Sequence, residues 1–236
     1  YEREIIFNDN NIIYFDNKGK ILKFDNNSNL IWKKNYYSKN EQKQNPILFF
    51  MSNQKYLIIA DTIAKLYVID INTGELLWAK KNSAPFNSQI KIFDDKFFVV
   101  DFENILKGYF IANGEEVLSI KTENSLIRSQ KKLSMVIVDQ NIYFNNSLGD
   151  INSVNIESGE LIWQIPTQNN LVFNDSFFLK TSDMVTDKDN LYLSNNKSQF
   201  FSINLETGNT NWLQEVSSVL RPVVINDLIF TITPKG

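Results

Sequence analysis

An all-β fold of repeated antiparallel units, a run of β-propeller blades, is what this sequence predicts, and three observations predict it. A turn followed by a tryptophan recurs along the chain. It appears as Asp70-Ile71-Asn72-Thr73-Gly74-Glu75-Leu76-Leu77-Trp78, then as Asn155-Ile156-Glu157-Ser158-Gly159-Glu160-Leu161-Ile162-Trp163, then as Asn204-Leu205-Glu206-Thr207-Gly208-Asn209-Thr210-Asn211-Trp212. Trp32, Trp78, Trp163 and Trp212 are separated by 46, 85 and 49 residues, and the middle gap is close to two periods of about 40–45 residues, the length of a propeller blade. No segment sustains the i, i+3, i+4, i+7 spacing of apolar residues that a helix needs to bury one face.

The doubled gap predicts a copy without its tryptophan, and Ile111-Ala112-Asn113-Gly114-Glu115-Glu116-Val117-Leu118 supplies it, with Leu118 in the tryptophan place. A first copy, Asp25-Asn26-Asn27-Ser28-Asn29-Leu30-Ile31-Trp32, is one residue shorter and has Ser28 in the glycine place. Each part of the repeat has a physical reason. Gly74, Gly114, Gly159 and Gly208 supply the positive φ of a tight hairpin turn. The Ser, Thr or Asn before the glycine bonds nearby backbone. The tryptophan on the next strand is large and flat enough to fill the gap between neighbouring blades.

Upstream of each turn lie further alternating strands. In the second unit they are expected at Ile47–Met51, Tyr56–Asp61, Lys65–Asp70 and Glu75–Lys80, parted by short polar turns. Units three to five repeat this around Gln89–Lys121, Leu133–Ile165 and Met184–Glu215, with a longer loop between Ile165 and Met184. Pro222–Pro234 has the pattern of the first two strands of a sixth unit, and Glu4–Phe7 that of the first strand of unit one. Residues 1–236 are therefore expected to form one β-propeller domain, five full units and a partial sixth, within a longer propeller of about seven or eight blades.

Composition narrows the function. The chain has 236 residues, 43% apolar and 13% aromatic, enough for a packed core and suited to strands. A net charge of -3 gives no basic footprint for nucleic acid. No apolar run is long enough to cross a bilayer, and the opening Tyr1-Glu2-Arg3-Glu4 has no leader pattern. There is no Cys and no His. That removes thiol chemistry, the common zinc sites, the Ser-His-Asp triad and the usual general base. Asp187, Asp189 and Asn190 in one turn, and Asp25-Asn26-Asn27 in another, offer oxygen ligands. Neither has the glycine and terminal glutamate of a calcium loop, so both are expected to be turn residues, with no metal and no cofactor.

The turn-plus-tryptophan repeat resembles the PQQ-like (quinoprotein-like) repeat over nearly the whole chain. WD-type propellers match less well, since no Trp-Asp dipeptide and no Gly-His pair occur. The resemblance implies one of two functional groups. One is the quinoprotein dehydrogenases, which use a vicinal Cys pair, a calcium site and an Asp base; this chain has no Cys. The other is the non-catalytic scaffolds of the BamB kind, periplasmic lipoproteins of the outer-membrane β-barrel assembly machinery. In those scaffolds a Leu-x-Leu-Arg loop between two blades contacts the barrel-assembly subunit. Here Ser125-Leu126-Ile127-Arg128 occupies the corresponding linker; Ile127 and Arg128 match the second Leu and the Arg, and Ser125 departs from the first Leu. Of the acidic pair that the family carries before the next unit, only Asp183 has a counterpart.

The leading expectation is thus a non-enzymatic scaffold that binds a protein partner, the barrel-assembly subunit, through Leu126, Ile127, Arg128 and Asp183. It places the protein in the periplasm, attached to the outer membrane only through a lipid anchor outside this chain. The alternatives are a PQQ-dependent dehydrogenase or its degenerate relative, and a small-ligand or sugar-binding propeller, for which Phe177 and Phe178 in the loop Asn169–Lys180 offer stacking faces. The bland reading of the linker is a solvated segment beside Lys131 and Lys132.

Overall fold

The computed structural model describes residues 5–122, 131–167 and 179–235. By backbone contact the chain divides into two compact units, Tyr1–Ile120 and Lys121–Gly236. In the first unit, the first blade holds β1 (Ile6–Asn8), β2 (Asn11–Phe15), β3 (Ile21–Phe24) and β4 (Leu30–Lys34). A short helix α1 (Lys39–Gln42) leads to the second blade, β5 (Leu48–Ser52), β6 (Tyr56–Asp61), β7 (Lys65–Asp70) and β8 (Leu76–Lys81). The third blade is β9 (Lys91–Phe93), β10 (Lys96–Val100), β11 (Ile105–Phe110) and β12 (Glu116–Lys121). In the second unit the fourth blade is β13 (Met135–Val138), β14 (Asn141–Asn145), β15 (Ile151–Asn155) and β16 (Leu161–Ile165). The fifth is β17 (Val185–Thr186), β18 (Asn190–Ser194), β19 (Phe200–Asn204) and β20 (Thr210–Gln214), followed by the pair β21 (Val223–Ile225) and β22 (Leu228–Phe230). Within each sheet the strands lie in chain order, each beside its sequence neighbour.

Period-two alternation explains how these sheets stack. On β6, Leu57 and Ile59 join Ile13, Phe15 and Ile21 of the first blade in one cluster, while Ile58 and Ala60 join Phe97 and Val99 of the third blade in another. Successive side chains of a strand point to opposite faces. A middle blade is therefore apolar on both faces, which is why β6 and β7 are near-continuous hydrophobic runs. The outermost strands β4, β8 and β16 carry mostly exposed residues.

The glycine turn and the tryptophan turn out to be two halves of one inter-blade joint. Gly74, Gly114, Gly159 and Gly208 all have positive φ, and Ser28 takes φ 65° in the first copy. The Trp32 indole N–H donates to the Ile71 carbonyl of the next blade at 3.2 Å, Trp78 to Ile111 at 2.8 Å, and Trp163 to Leu205 at 3.0 Å. The rings lie flat under the next turn: a Cβ added at Gly74 would sit 2.9 Å from Trp32, one at Gly114 2.8 Å from Trp78, and one at Gly208 2.8 Å from Trp163. The same Ile or Leu ties its own blade together. Its N–H reaches back to the β1–β2-type turn, as in Ile71 to Lys55, Ile111 to Asp95 and Leu205 to Asp189. Trp32 is fully buried; Trp78, Trp163 and Trp212 are half-buried. A register shift after Lys23, Val68, Ser153 and Ser202, each opposite a tryptophan, turns the outer strand at the ring.

Helix α1 departs from the sequence expectation of no helix. A single turn is too short for apolar periodicity to register. Its signal is the capping box Ser38-x-x-Glu41: the Glu41 N–H donates to Ser38 Oγ and the Ser38 N–H to the Glu41 carboxylate. The first strand also starts later than Glu4–Phe7, with Ile6 packed inward and Phe7 exposed.

Candidate partner-binding site

Of the residues singled out for binding, Leu126, Ile127 and Arg128 lie outside the described residues, as do Phe177 and Phe178. Asp183 lies inside them, in the segment that leads into β17. It is half-buried and electrostatically faces both Lys131 and Lys132, which end the linker on the other side.

Two inter-blade segments are stitched together here. The Lys131 ammonium donates to Thr181 Oγ1 at 2.6 Å, and the Asn145 amide donates to the same oxygen at 3.1 Å. The Met184 N–H donates to Ser134 Oγ at 2.8 Å, and the Ser134 N–H to Asn145 Oδ1 at 2.7 Å. Thr181, Ser134 and Asn145 are buried, so each bond is shielded from competing water. Burial pushes the Lys131 ammonium down to about 8; Asp183 opposes this and Lys180 adds to it. Burial lowers Lys132 as well, again against Asp183. The arrangement can fix a loop and present charge. It has no paired acid and base at a shared reacting position.

The solvated reading of the linker sets Lys131 and Lys132 in water, and neither reading of the linker singles out Thr181, Ser134 or Asn145. A signal was present: Lys131–Val136 and Lys180–Val185 share the pattern Lys-x-x-x-Met-Val. It marks equivalent positions in successive blades, and equivalent positions in stacked blades are neighbours.

The turn carboxylates are committed to backbone. Asp25 Oδ1 accepts from the Asn27 and Asn29 N–H groups, and its Oδ2 from the Asn29 amide; these bonds, the Asn29 side chain's first, hold its carboxyl low. Asp187 Oδ1 accepts from the Asp189 and Asn190 N–H groups and its Oδ2 from the Tyr192 hydroxyl at 2.6 Å. Burial raises the Asp187 carboxyl, and these bonds outweigh it, leaving the group below its ordinary value. Among the described residues no group of three or more His, Cys, Asp or Glu could hold a metal ion.

Comparison with known proteins adds the following. A family model described as outer membrane protein assembly factor BamB matches residues 17–236. Comparison with curated proteins found no match. Among solved structures, BamB from Moraxella catarrhalis superposes with a TM-score of 0.70 at 15% identity, over 97% of this chain and 66% of that one. The computationally designed Ika8 protein gives 0.74 at 10% identity, over 98% and 68%. Quinohemoprotein alcohol dehydrogenase ADHIIG from Pseudomonas putida HK5 gives 0.70 at 14% identity, over 90% and 41%. At these identities the likeness is one of fold, and the chain spans about two thirds of the Moraxella protein.

Proposed function

Because the chain belongs to the family of the outer membrane protein assembly factor BamB, we propose that it is a non-catalytic propeller scaffold that binds a protein partner in outer-membrane β-barrel assembly. In this reading residues 1–236 are one propeller domain of a longer ring, held in the periplasm beside the outer membrane by an anchor outside this chain. Among the described residues no helix is long and apolar enough to cross a membrane. The partner is the barrel-assembly subunit, and the contact is made by Leu126, Ile127, Arg128 and Asp183.

The observation that carries the reading is the joint between Lys131–Ser134 and Thr181–Met184. A binding loop transmits affinity only if its base is fixed, since ordering a loose segment on contact opposes binding. The Lys131–Thr181 and Met184–Ser134 bonds fix the segment that follows Arg128 in sequence and set Asp183 beside it. Arg128 offers a planar fork for a partner carboxylate, and Ile127 an apolar knob.

The expected result for Arg128→Glu is a loss of at least about tenfold in affinity for the barrel-assembly subunit, the size of one charge-assisted hydrogen bond. Pull-down and titration calorimetry measure it. The melting temperature should stay that of the parent chain. Unchanged affinity in a folded variant rejects the contact. Absence of dye reduction after addition of PQQ and calcium is the companion expectation; turnover there rejects the non-catalytic half.

A further inference from the structure

The second unit contains a cleft of about 430 Å³ whose walls include Val136, Val185, Thr186, Val223 and Val224, with Arg221 among them. The volume falls within the range of small-ligand and side-chain pockets. Three features fix what it would take. The side-chain walls are mostly aliphatic, so an apolar group gains by entering. Arg221 is exposed; among the described residues its guanidinium forms no ion pair or hydrogen bond, and those that line the cleft include no acid. An unmatched cation beside an apolar wall selects an apolar group that carries one negative charge. The third feature is backbone. Val136 lies on β13, Val185 and Thr186 on β17, Val223 and Val224 on β21, and each of these strands is the edge of its sheet. An edge strand turns backbone N–H and C=O groups away from its sheet.

The geometry points to a binding site for the C-terminus of an extended peptide whose last residues are aliphatic. Its terminal carboxylate pairs with Arg221, its last side chain fills the valine-lined cleft, and its main chain bonds to one of the strand edges. A free fatty acid would satisfy Arg221 and the apolar wall but would cover edge backbone groups without bonding them, which costs free energy. A peptide bonds what it covers. Among the described residues Asp183 does not line this cleft, and Arg221 is no part of the proposed partner contact, so the two proposals are tested separately.

Fluorescence anisotropy tests the site with an N-terminally labelled pentapeptide ending in Val-Leu, prepared as the free acid and as the C-terminal amide. The free acid is expected to bind the full chain, and the amide about tenfold more weakly. Arg221→Gln, a change at an exposed side chain, should bring the acid down to the amide. Equal binding of acid and amide, an acid preference that survives Arg221→Gln, or no binding of either peptide overturns the proposal. So does displacement of the peptide by decanoate at lower concentration with the same dependence on Arg221, which would make the occupant an acyl chain.

Discussion

Trp32→Ala is expected to destabilise the chain by about 3–5 kcal/mol, the usual cost of removing a large buried aromatic side chain. The ring is only 8% exposed and sits between two blades. Its hydrogen bond contributes the smaller part of the loss, because the Ile71 carbonyl also accepts from the Lys23 ammonium at 3.0 Å and keeps a partner. Trp212→Ala should cost clearly less, about 1–2 kcal/mol. That ring is half-buried, packs on Tyr192 and Phe200 of its own blade, and its indole N–H has no acceptor among the described residues. Urea unfolding of the two variants gives the comparison, and equal losses would remove the joint as the explanation. A mutant cycle isolates the other half. Gly74→Ala forces a Cβ to 2.9 Å from the Trp32 ring and strains a φ of 69°. In the parent this should cost about 1–3 kcal/mol; in the Trp32→Ala background the ring clash is gone, and what remains is the strain, about 1 kcal/mol, with a close approach to the flexible Lys34 side chain. Additive losses would show that the two residues do not share a joint.

That joint was legible in the sequence because both partners are chemically unusual: few residues besides glycine take φ near +70° easily, and nothing else is as large and flat as tryptophan. A second repeat was present and harder to see. Asp16, Asp61, Asp101, Asn146 and Asn195 each accept the N–H groups two and four residues on, closing the turn between the two middle strands of every full blade. Asp serves in the first three blades and Asn in the last two, because the turn needs only one acceptor oxygen, so identity varies while the role stays fixed. The candidate site was the least legible. Leu126, Ile127, Arg128 and Asp183 came from a resemblance. The bond beside Asp183, Lys131 to Thr181, joins residues 50 apart on different blades. Spacing within one blade carries no information about such a bond; only the stacking of one blade on the next creates it.

The Asp61→Asn variant is expected to be more stable than the parent at pH 7.5 by about 1–3 kcal/mol, an advantage that shrinks as pH falls below 6. Asp61 is fully buried. Burial pushes its carboxyl up to about 6, against hydrogen bonds from the Tyr37 hydroxyl and the Lys65 and Ile63 N–H groups and the charge of Lys65. Lys65 is itself held away by the Tyr36 carbonyl at 2.6 Å and by Glu41 of α1 at 3.3 Å. The phenols around Asp61 do not titrate in this window, since burial drives both Tyr37 and Tyr67 well above the ordinary phenol value. The folded value lies above the unfolded one, so the folded state binds the proton more tightly between about 4 and 6. The contribution of Asp61 is therefore most favourable below that window and is lost as pH rises through about 6, where the charge must be carried inside the protein. Asparagine removes the charge and keeps the turn, as Asn146 and Asn195 show by holding the same pair of backbone N–H groups. The Tyr67–Tyr37 bond, 3.2 Å, can reverse so that the amide donates to Tyr37 and Tyr37 to Tyr67. Unfolding free energies of parent and variant at pH 7.5, 6.5 and 5.0 decide the matter. The two curves should converge toward acid; parallel curves would mean that Asp61 carries no proton that folding tightens.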